Sequence, residues 1–578
     1  MANFYTDNPD IEYNLKRLNL KELADFLEGD YSDSKKFDYA PENADDTIEN
    51  YLSICKLAGE LCAGPIAERA SQIDEEGHEC RDGDVIFHPL VKANLRDFRR
   101  AQLLGVSLPR RYGGLNMPQA IKNAVIEMVS RADASLMNLV GLQDIAETIN
   151  EFGSEEQKET YIPKLASGEA TGAMVLTEAD SGSDLQSVRL QAIPPSEGGD
   201  DGVWHLHGVK RFITNGCGDI LLVLARSEEG TTDARGLSLF ICSKDETIYI
   251  RRIENKLGIH GSPTCEIVFD HTPAYLVGRR KRGLIKYVMS LMNGARLGIS
   301  AQSLGIAEAA YRTARKYAES RVQFDRPIID FPPVYEMLTN MKMNIEAGRL
   351  LLYETAKVVD LFKIPAVQME EAKKRDEAAN SESKKNVRYY ERLTSVLTPM
   401  TKYFTSEMCN RAAYNGMQVM GGSGYMKDYD MERYYRDARI TNIYEGTSQL
   451  QIVGAIGGLL AGTMNKVFDD FVAGSYPDKF NKLSKKAKAF VPQYYKAVEF
   501  VKQKKDSDYT NFVARRLVDM AIDIYVSFLF LECARDNTRK ASLAEIWIQD
   551  AKLRVESSYR FIVDDRSHLI NLHKDIIG

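Results

Sequence analysis

Near Thr171 the hydrophobic pattern of this chain changes period, and near Gly283 it changes back. Between those points, short apolar and β-branched runs recur at Ala173–Thr177, Val203–His207, Ile220–Leu224, Leu237–Cys242 and Glu266–Phe269. Gly, Asp and Ser clusters separate them, the pattern of a small all-β module. On either side apolar residues stand three and four apart, as in Asp46–Leu61, Pro118–Arg131 and Leu284–Arg321, which predicts helices. The expected fold is mainly α with a central β-barrel-like domain. An N-terminal arm (1–43) precedes an α-helical N-domain (44–170), the β-domain (171–283), a C-terminal four-helix bundle (284–460) and an extra helical extension (461–578). A length of 578 residues requires several domains in any case. A β-module between two helical domains predicts a ligand cleft at their junction.

Composition excludes several classes. Hydrophobic residues at 44% and charged residues at 27% exclude a disordered chain and a polytopic membrane protein. The balance of 75 basic against 82 acidic residues, net −7, opposes a general nucleic-acid binder. The eight cysteines form no CxxC and stand at no metal-ligand spacing from the histidines, so neither a disulfide framework nor a metal site is expected. The start, MANFYTDNPDIEY, has no basic segment followed by an apolar core. The longest uncharged stretch, Gly446–Asn465, carries Gln449, Gln451 and four further glycines, too polar for a stable membrane span. A cytoplasmic protein with reduced thiols is expected.

In the arm, NLKELADFLEG reads as a short helix with Asn19 as N-cap, Glu22 closing the box and Gly29 ending it. Leu20, Leu23 and Leu27 would share one face, which suits docking, for example on a partner subunit. The charged run EEAKKRDEAANSESKK reads as a solvated helix or loop inserted in a helical hairpin. From Ala461 onward 20 Lys+Arg face 16 Asp+Glu, a net of +4, with one dense patch at Lys482–Lys488. A solvated face is the plain reading of that patch; a docking or membrane-surface role is the alternative.

Three clusters carry chemistry. Leu176-Thr177-Glu178-Ala179-Asp180-Ser181-Gly182-Ser183-Asp184 leaves a strand for a loop that can offer N–H groups and a hydroxyl to an anion such as a pyrophosphate. Lys210-Arg211-Phe212-Ile213-Thr214-Asn215-Gly216 reads as a strand with Phe212 and Thr214 on one face. The third is Gln418-Val419-Met420-Gly421-Gly422-Ser423-Gly424-Tyr425 followed by Ile443-Tyr444-Glu445-Gly446-Thr447-Ser448-Gln449. Three glycines in four positions end a helix and allow close backbone approach to a ligand. Glu445 precedes a long uncharged stretch, and a carboxylate facing an apolar cleft would have the raised pKa of a general base. Each cluster alone also has a structural reading as a turn, core packing or a cap.

Together, TEADSGSD, RFITNG, the SRVQFDRP segment at Ser320–Pro327, QVMGGSGY and IYEGTSQLQ occur in the order of the acyl-CoA dehydrogenase flavoprotein family. The resemblance spans about Ala44 to Leu460. The arm and the extension resemble the longer bacterial branch that includes 3-methylmercaptopropionyl-CoA dehydrogenases. It implies FAD held between the β-domain and the C-terminal bundle. Leu176 and Thr177 would contact the flavin ring, Ser183 the pyrophosphate side or the CoA moiety, and Phe212 and Thr214 would flank the isoalloxazine. Arg321, Gln323, Phe324, Gln418 and Gly422 would reach the FAD of a neighbouring subunit, so a homodimer or dimer of dimers is implied. Thr447 and Gln449 would complete the site beside Tyr444, Glu445 and Gly446.

By the same resemblance, Glu445 would take the α-proton of an acyl-CoA while a hydride passes from Cβ to the flavin. The product would be a trans-2-enoyl-CoA, and electrons would leave to electron-transferring flavoprotein. An oxygen-using oxidase, or a DNA-binding relative with little dehydrogenase activity, is the alternative. Some branches place the base one residue before an Arg on the helix at Met292–Arg296; that position is Ala295 here, leaving Arg296 to bind acyl or CoA groups or set the local field. Phe212 stands where Trp is usual, Ala179-Asp180-Ser181 where Pro-Gly-Ala is usual, Asp325 where Gly is common and Met174 where an aromatic is common. Asp180 must then point away from a pyrophosphate, or the loop must differ.

Overall fold

The computed structural model describes residues 2–197, 199–374 and 381–578. Strands β1 (Glu79–Arg81) and β2 (Asp84–Ile86) make a small hairpin. Strands β3 (Gly172–Val175), β4 (Gln191–Ile193), β5 (Trp204–Thr214), β6 (Ile220–Arg226), β7 (Leu237–Ser243), β8 (Ile248–Ile253) and β9 (Thr264–Leu276) make one sheet. Strands β10 (Val322–Gln323) and β11 (Arg326–Pro327) make a second hairpin. In the sheet, β7 pairs with both β6 and β9, so β6, β4, β5, β9 and β7 close into a ring, with β3 added to β6 and β8 to β9. Closure removes long free edges.

The sequence of β6, ILLVLAR, lacks alternation because both of its faces are buried. Leu221, Val223 and Ala225 pack with Trp204, Phe240 and Phe269, a cluster drawn almost wholly from strands. Ile220, Leu222 and Leu224 pack with Ile145, Ile149, Ile162 and Leu165 of the N-domain helices. Each such side chain contributes about 1.5–3 kcal/mol. The 32-residue helix Met289–Ser320 packs on the helix Gln119–Ala132. A Cβ at Gly305 would lie 2.3 Å from the Glu127 carbonyl oxygen, so glycine permits that approach.

The described residues divide into two compact units: Met1–Val334 with Cys409–Thr441, and Tyr335–Met408 with Asn442–Gly578. In the first unit the arm makes contacts with its own chain. The Arg110 guanidinium forms a two-pronged pair with Glu28, at 2.5 and 2.7 Å, both side chains almost fully buried. Arg131 grips Asp7 in the same way. The helix Leu20–Glu28 forms, and Gly29 ends it at φ 61°, but Asn19 does not cap it. Asn19 sits at φ 57°, and its amide donates to the Glu22 carboxylate at 3.0 Å instead of accepting from the helix N–H groups. Of the charged run, residues 370–374 end the helix Pro332–Lys374, residues 381–385 begin the helix Ser381–Met420 and are mostly exposed, and residues 375–380 lie outside the described residues.

A titrating cluster also belongs to this unit. His260 Nδ1 lies 3.1 Å from Asp74 Oδ1, and Nε2 lies 2.9 Å from the Lys256 carbonyl oxygen. Both ring nitrogens face acceptors, which suits the imidazolium. The hydrogen bond to Asp74 is the main cause raising the His260 pKa to about 9. A raised cationic pKa stabilises fully below the unfolded value of about 6.5 and is lost as pH climbs through the folded one. The stability advantage of the parent over His260→Gln should therefore shrink between about pH 6.5 and 9 in thermal denaturation. A difference independent of pH would show that the ring is neutral.

In the second unit the extension packs as a domain should. Trp547, 1% exposed, lies between Phe404 and Phe530, with ring centroids 6.0 and 5.9 Å away. Glu346, on the helix Pro332–Lys374, is fully buried and pairs with Arg349 at 2.8 Å, Lys342 at 2.9 Å and Lys540 of the extension. No helix among the described residues is long and apolar enough to cross a membrane.

Candidate functional site

The first unit carries most of the expected cofactor residues. After β3, the Leu176 side chain enters the core and its carbonyl oxygen accepts from Lys210 Nζ at 2.7 Å. Leu176 therefore offers a ligand main chain only. Lys210, wholly buried, also meets Glu178 at 3.0 Å, and that carboxylate accepts from the N–H groups of Arg189 and Leu190. Burial pushes the Lys210 ammonium down to about 8, against the pull of Glu178. The Arg211 N–H donates to the Thr177 carbonyl at 3.0 Å. The loop is thus tied from beneath to β5, while Gly182 and Ser183 stay exposed. Lys210 and Glu178 carry no signal of this in sequence, since each looks like an ordinary surface charge.

Asp180 is exposed and lines a cleft of about 410 Å³ with Arg189, Arg211, Arg251 and Arg252. Glu178 and Glu266 line the same cleft, and Arg211, Arg251 and Arg252 pair there with Glu254 and Glu266, so Asp180 is one acid in a lining of mixed charge.

β5 is not a plain alternating strand at Phe212. A register shift between Lys210 and Ile213 leaves Phe212 at φ 62°, 48% exposed, with the Arg211 guanidinium 4.6 Å from its ring centroid. A non-glycine residue at positive φ is strained and must be held by its surroundings. Ile213 turns inward while Thr214 is half-exposed.

The segment after Ser320 is a tight hairpin. Phe324 and Asp325 occupy its two turn positions at φ 51° and 63°, the backbone of a type I′ turn. That conformation explains why glycine suits position 325, and Asp tolerates it better than most residues. Phe324 is 88% exposed, Gln323 is exposed, and Arg321 at the preceding helix end is exposed as well. Gln418 is exposed in the last turn of the helix Ser381–Met420; Gly421 turns the chain at φ 58°, and nothing stands within 4 Å of a Cβ built at Gly422. Arg296 is half-buried and donates to Asn293 at 2.9 Å. Exposed aromatic faces, an exposed guanidinium and open glycines suit a flat apolar ring with a phosphate tail.

The second unit carries Tyr444, Glu445, Gly446, Thr447 and Gln449. Glu445, half-buried, sits at φ 53° and Gly446 at φ 91°. Gln451 Nε2 donates to both carbonyl oxygens, at 3.0 and 2.9 Å, and Lys402 Nζ donates to that of Gly446 at 2.6 Å. Gln451 and Lys402 are fully buried. A Cβ at Gly446 would lie 2.6 Å from Gln451 Nε2, so the clamp needs glycine there. Thr447 Oγ1 caps the helix Ser448–Leu460 by accepting from the Leu450 N–H at 3.3 Å; Gln449 is exposed. Sequence reasoning missed Lys402 and Gln451; a single cation within the otherwise uncharged TPMTKYF was the available hint for the first.

Comparison with known proteins covers nearly the whole chain. The acyl-CoA dehydrogenase N-terminal domain matches residues 49–169, the middle domain 173–272 and the C-terminal domain 282–455. A further domain, described as acyl-CoA dehydrogenase C terminal, matches 460–567. A 3-methylmercaptopropionyl-CoA dehydrogenase of Ruegeria pomeroyi is 33% identical over 425 residues, 69% of this chain and 68% of that one. The solved butyryl-CoA dehydrogenase of Megasphaera elsdenii aligns with TM-score 0.59 at 30% identity, covering 71% of this chain and 98% of its own. An acyl-CoA dehydrogenase complexed with FAD from Bacillus anthracis shares the fold across 91% of this chain and 90% of its own, extension included, with TM-score 0.74 at 23% identity. Four successive domain matches, in an order that places the β-module between helical domains, show that the chain belongs to the acyl-CoA dehydrogenase family of FAD-dependent oxidoreductases.

Proposed function

We propose that this chain catalyses α,β-dehydrogenation of an acyl-CoA thioester to a trans-2-enoyl-CoA, with Glu445 as the general base. The observation that supports this best is the turn at Glu445 and Gly446: a strained pair of residues fixed by two buried side chains. Such strain fits a carboxylate held in one place for proton transfer. Bound FAD would supply the oxidising chemistry, accepting the hydrogen and electron pair from the β-carbon.

The chain's own residues do the rest. The Ser183 hydroxyl and the loop around Gly182 would receive phosphate oxygens, while Phe212 and Thr214 would flank the flavin ring. Leu176 and Thr177 would contribute at the ring edge. The Glu445 carboxylate would take the α-proton, its basicity raised above the ordinary value of about 4.3 once ligands exclude water. Its own backbone N–H would donate to the thioester carbonyl and stabilise enolate-like charge. The fixed 445–446 turn would hold that donor in place. Tyr444, Gly446 and Arg296 would meet the acyl or CoA groups, and Thr447 and Gln449 would complete the flavin side. Electrons would leave to electron-transferring flavoprotein, in the cytoplasm.

Arg321, Gln323, Phe324, Gln418 and Gly422 would serve the FAD of a neighbouring copy in a homodimer or dimer of dimers. Purified protein should carry about one FAD per chain. Arg321→Ala should lose FAD while the chain stays folded, because a guanidinium on a phosphate gives geometry that a truncated side chain cannot. Gel filtration with absorbance at the flavin band reads both quantities. Protein that takes up no FAD would defeat the proposal, and full FAD occupancy in a monomeric Arg321→Ala variant would defeat its cross-subunit part.

A further inference from the structure

We infer that His207, Asp270 and His271 form a binding site for a divalent transition ion of the zinc class, on the surface of the β-module. One ligand atom from each lies within 4.8 Å of the others, and His207 Nδ1 is 3.6 Å from Asp270 Oδ1. The two imidazole rings lie 4.7 Å apart, centroid to centroid, and 31° from parallel.

A β-bulge builds the arrangement. In β9 the side chains should alternate between faces, yet Asp270 and His271 are both exposed while Phe269 and Thr272 are both buried. The pairing shifts between Leu206, opposite Thr272, and His207, opposite Asp270, so His271 is the extra residue. It adopts φ 54°, a left-handed conformation that costs a residue with a side chain. Thr247 fastens both flanks. Its carbonyl oxygen accepts from the Asp270 N–H at 3.0 Å and from Thr272 Oγ1 at 3.2 Å. The bulge thus turns one residue of an ordinary strand outward, beside a histidine of the neighbouring strand and an adjacent carboxylate.

The donor set selects the ligand. Two neutral imidazole nitrogens with one carboxylate oxygen suit Zn²⁺, Co²⁺, Ni²⁺ or Cu²⁺, whereas Ca²⁺ and Mg²⁺ require mostly oxygen. Exposed side chains can rotate about χ1 and χ2 to reach bonding distance, leaving the remaining coordination positions to water. Bound there, the ion would staple β5 to β9 across the bulge. None of the three residues belongs to the proposed catalytic or cofactor set, so the site is independent of that activity.

The test uses the full-length, untagged protein and ZnCl₂ as probe in isothermal titration calorimetry near neutral pH. The expected result is saturable uptake of one ion per chain, with no comparable uptake of CaCl₂. His207→Gln should weaken binding by roughly 10-fold or more, and so should His271→Asn, which tolerates the left-handed backbone. A His568→Ala/His573→Ala variant, lacking two other exposed histidines, should bind as the parent does. Absence of saturable Zn²⁺ binding, equal affinity in a folded His207→Gln/His271→Asn variant, or loss in the His568/His573 variant would each overturn the inference.

Discussion

Glu445→Gln should retain FAD and acyl-CoA but reduce the bound flavin at least about 10²–10⁴-fold more slowly, the usual loss when a general base is removed. The substitution keeps the shape, and the Gln451 and Lys402 bonds to the carbonyl oxygens of this turn still hold its backbone. In the parent, the acid limb of the reduction rate should follow one carboxylate; in the variant that limb should vanish. Stopped-flow mixing under argon reads the rate directly. If Glu445 were only structural, the variant would lose stability or FAD content while its bound flavin bleached at close to the parental rate. That result would refute the assignment of the base. No other carboxylate occupies the helix position used in other branches, where Ala295 stands.

The largest effect on stability should come from Glu346→Ala, at about 3–5 kcal/mol, the range seen when one partner of a buried ion pair is removed. Glu346, Arg349 and Lys540 are all fully inaccessible. Removing the carboxylate takes a shared anion away from three cations, two of them fully inaccessible. Lys540 begins the helix Thr538–Val563, so the loss should loosen the extension from the helix Pro332–Lys374. Chemical denaturation should show an earlier transition assigned to the second unit. A midpoint within about 0.5 kcal/mol of the parent, as for an ordinary surface substitution, would mean that water already reaches this cluster.

The alternation of periods was legible because burial acts on every residue of an element at once. Strands such as Leu237–Ser243 and helices such as Met289–Ser320 stand near where their apolar spacing predicts them. The β1–β2 hairpin was not legible: its strands are three residues long and half charged, too short for a period to show. Nor were the bulges at Phe212 and His271, since neither residue advertises a left-handed backbone as glycine would. Docking of the arm was hidden for another reason. Glu28 and Asp7 meet Arg110 and Arg131 across 82 and 124 residues of chain, and no local pattern encodes such pairs. The same holds for the clamp at Glu445. Its motif could be read from sequence, but Lys402, 44 residues away from Gly446, could not be linked to it. The family motifs supplied candidate roles for Ser183, Arg321 and Glu445, whereas the geometry shows what fixes the backbone around them.

Anaerobic mixing of the purified holoprotein with a panel of saturated acyl-CoA thioesters, varied in chain length, branching and terminal group, decides whether the protein dehydrogenates acyl-CoA and whether Glu445 drives the reaction. At least one thioester should bleach the flavin's visible absorbance and yield the matching 2-enoyl-CoA, and Glu445→Gln should suppress this bleaching. A flavin that dithionite reduces normally but that no acyl-CoA bleaches would contradict it.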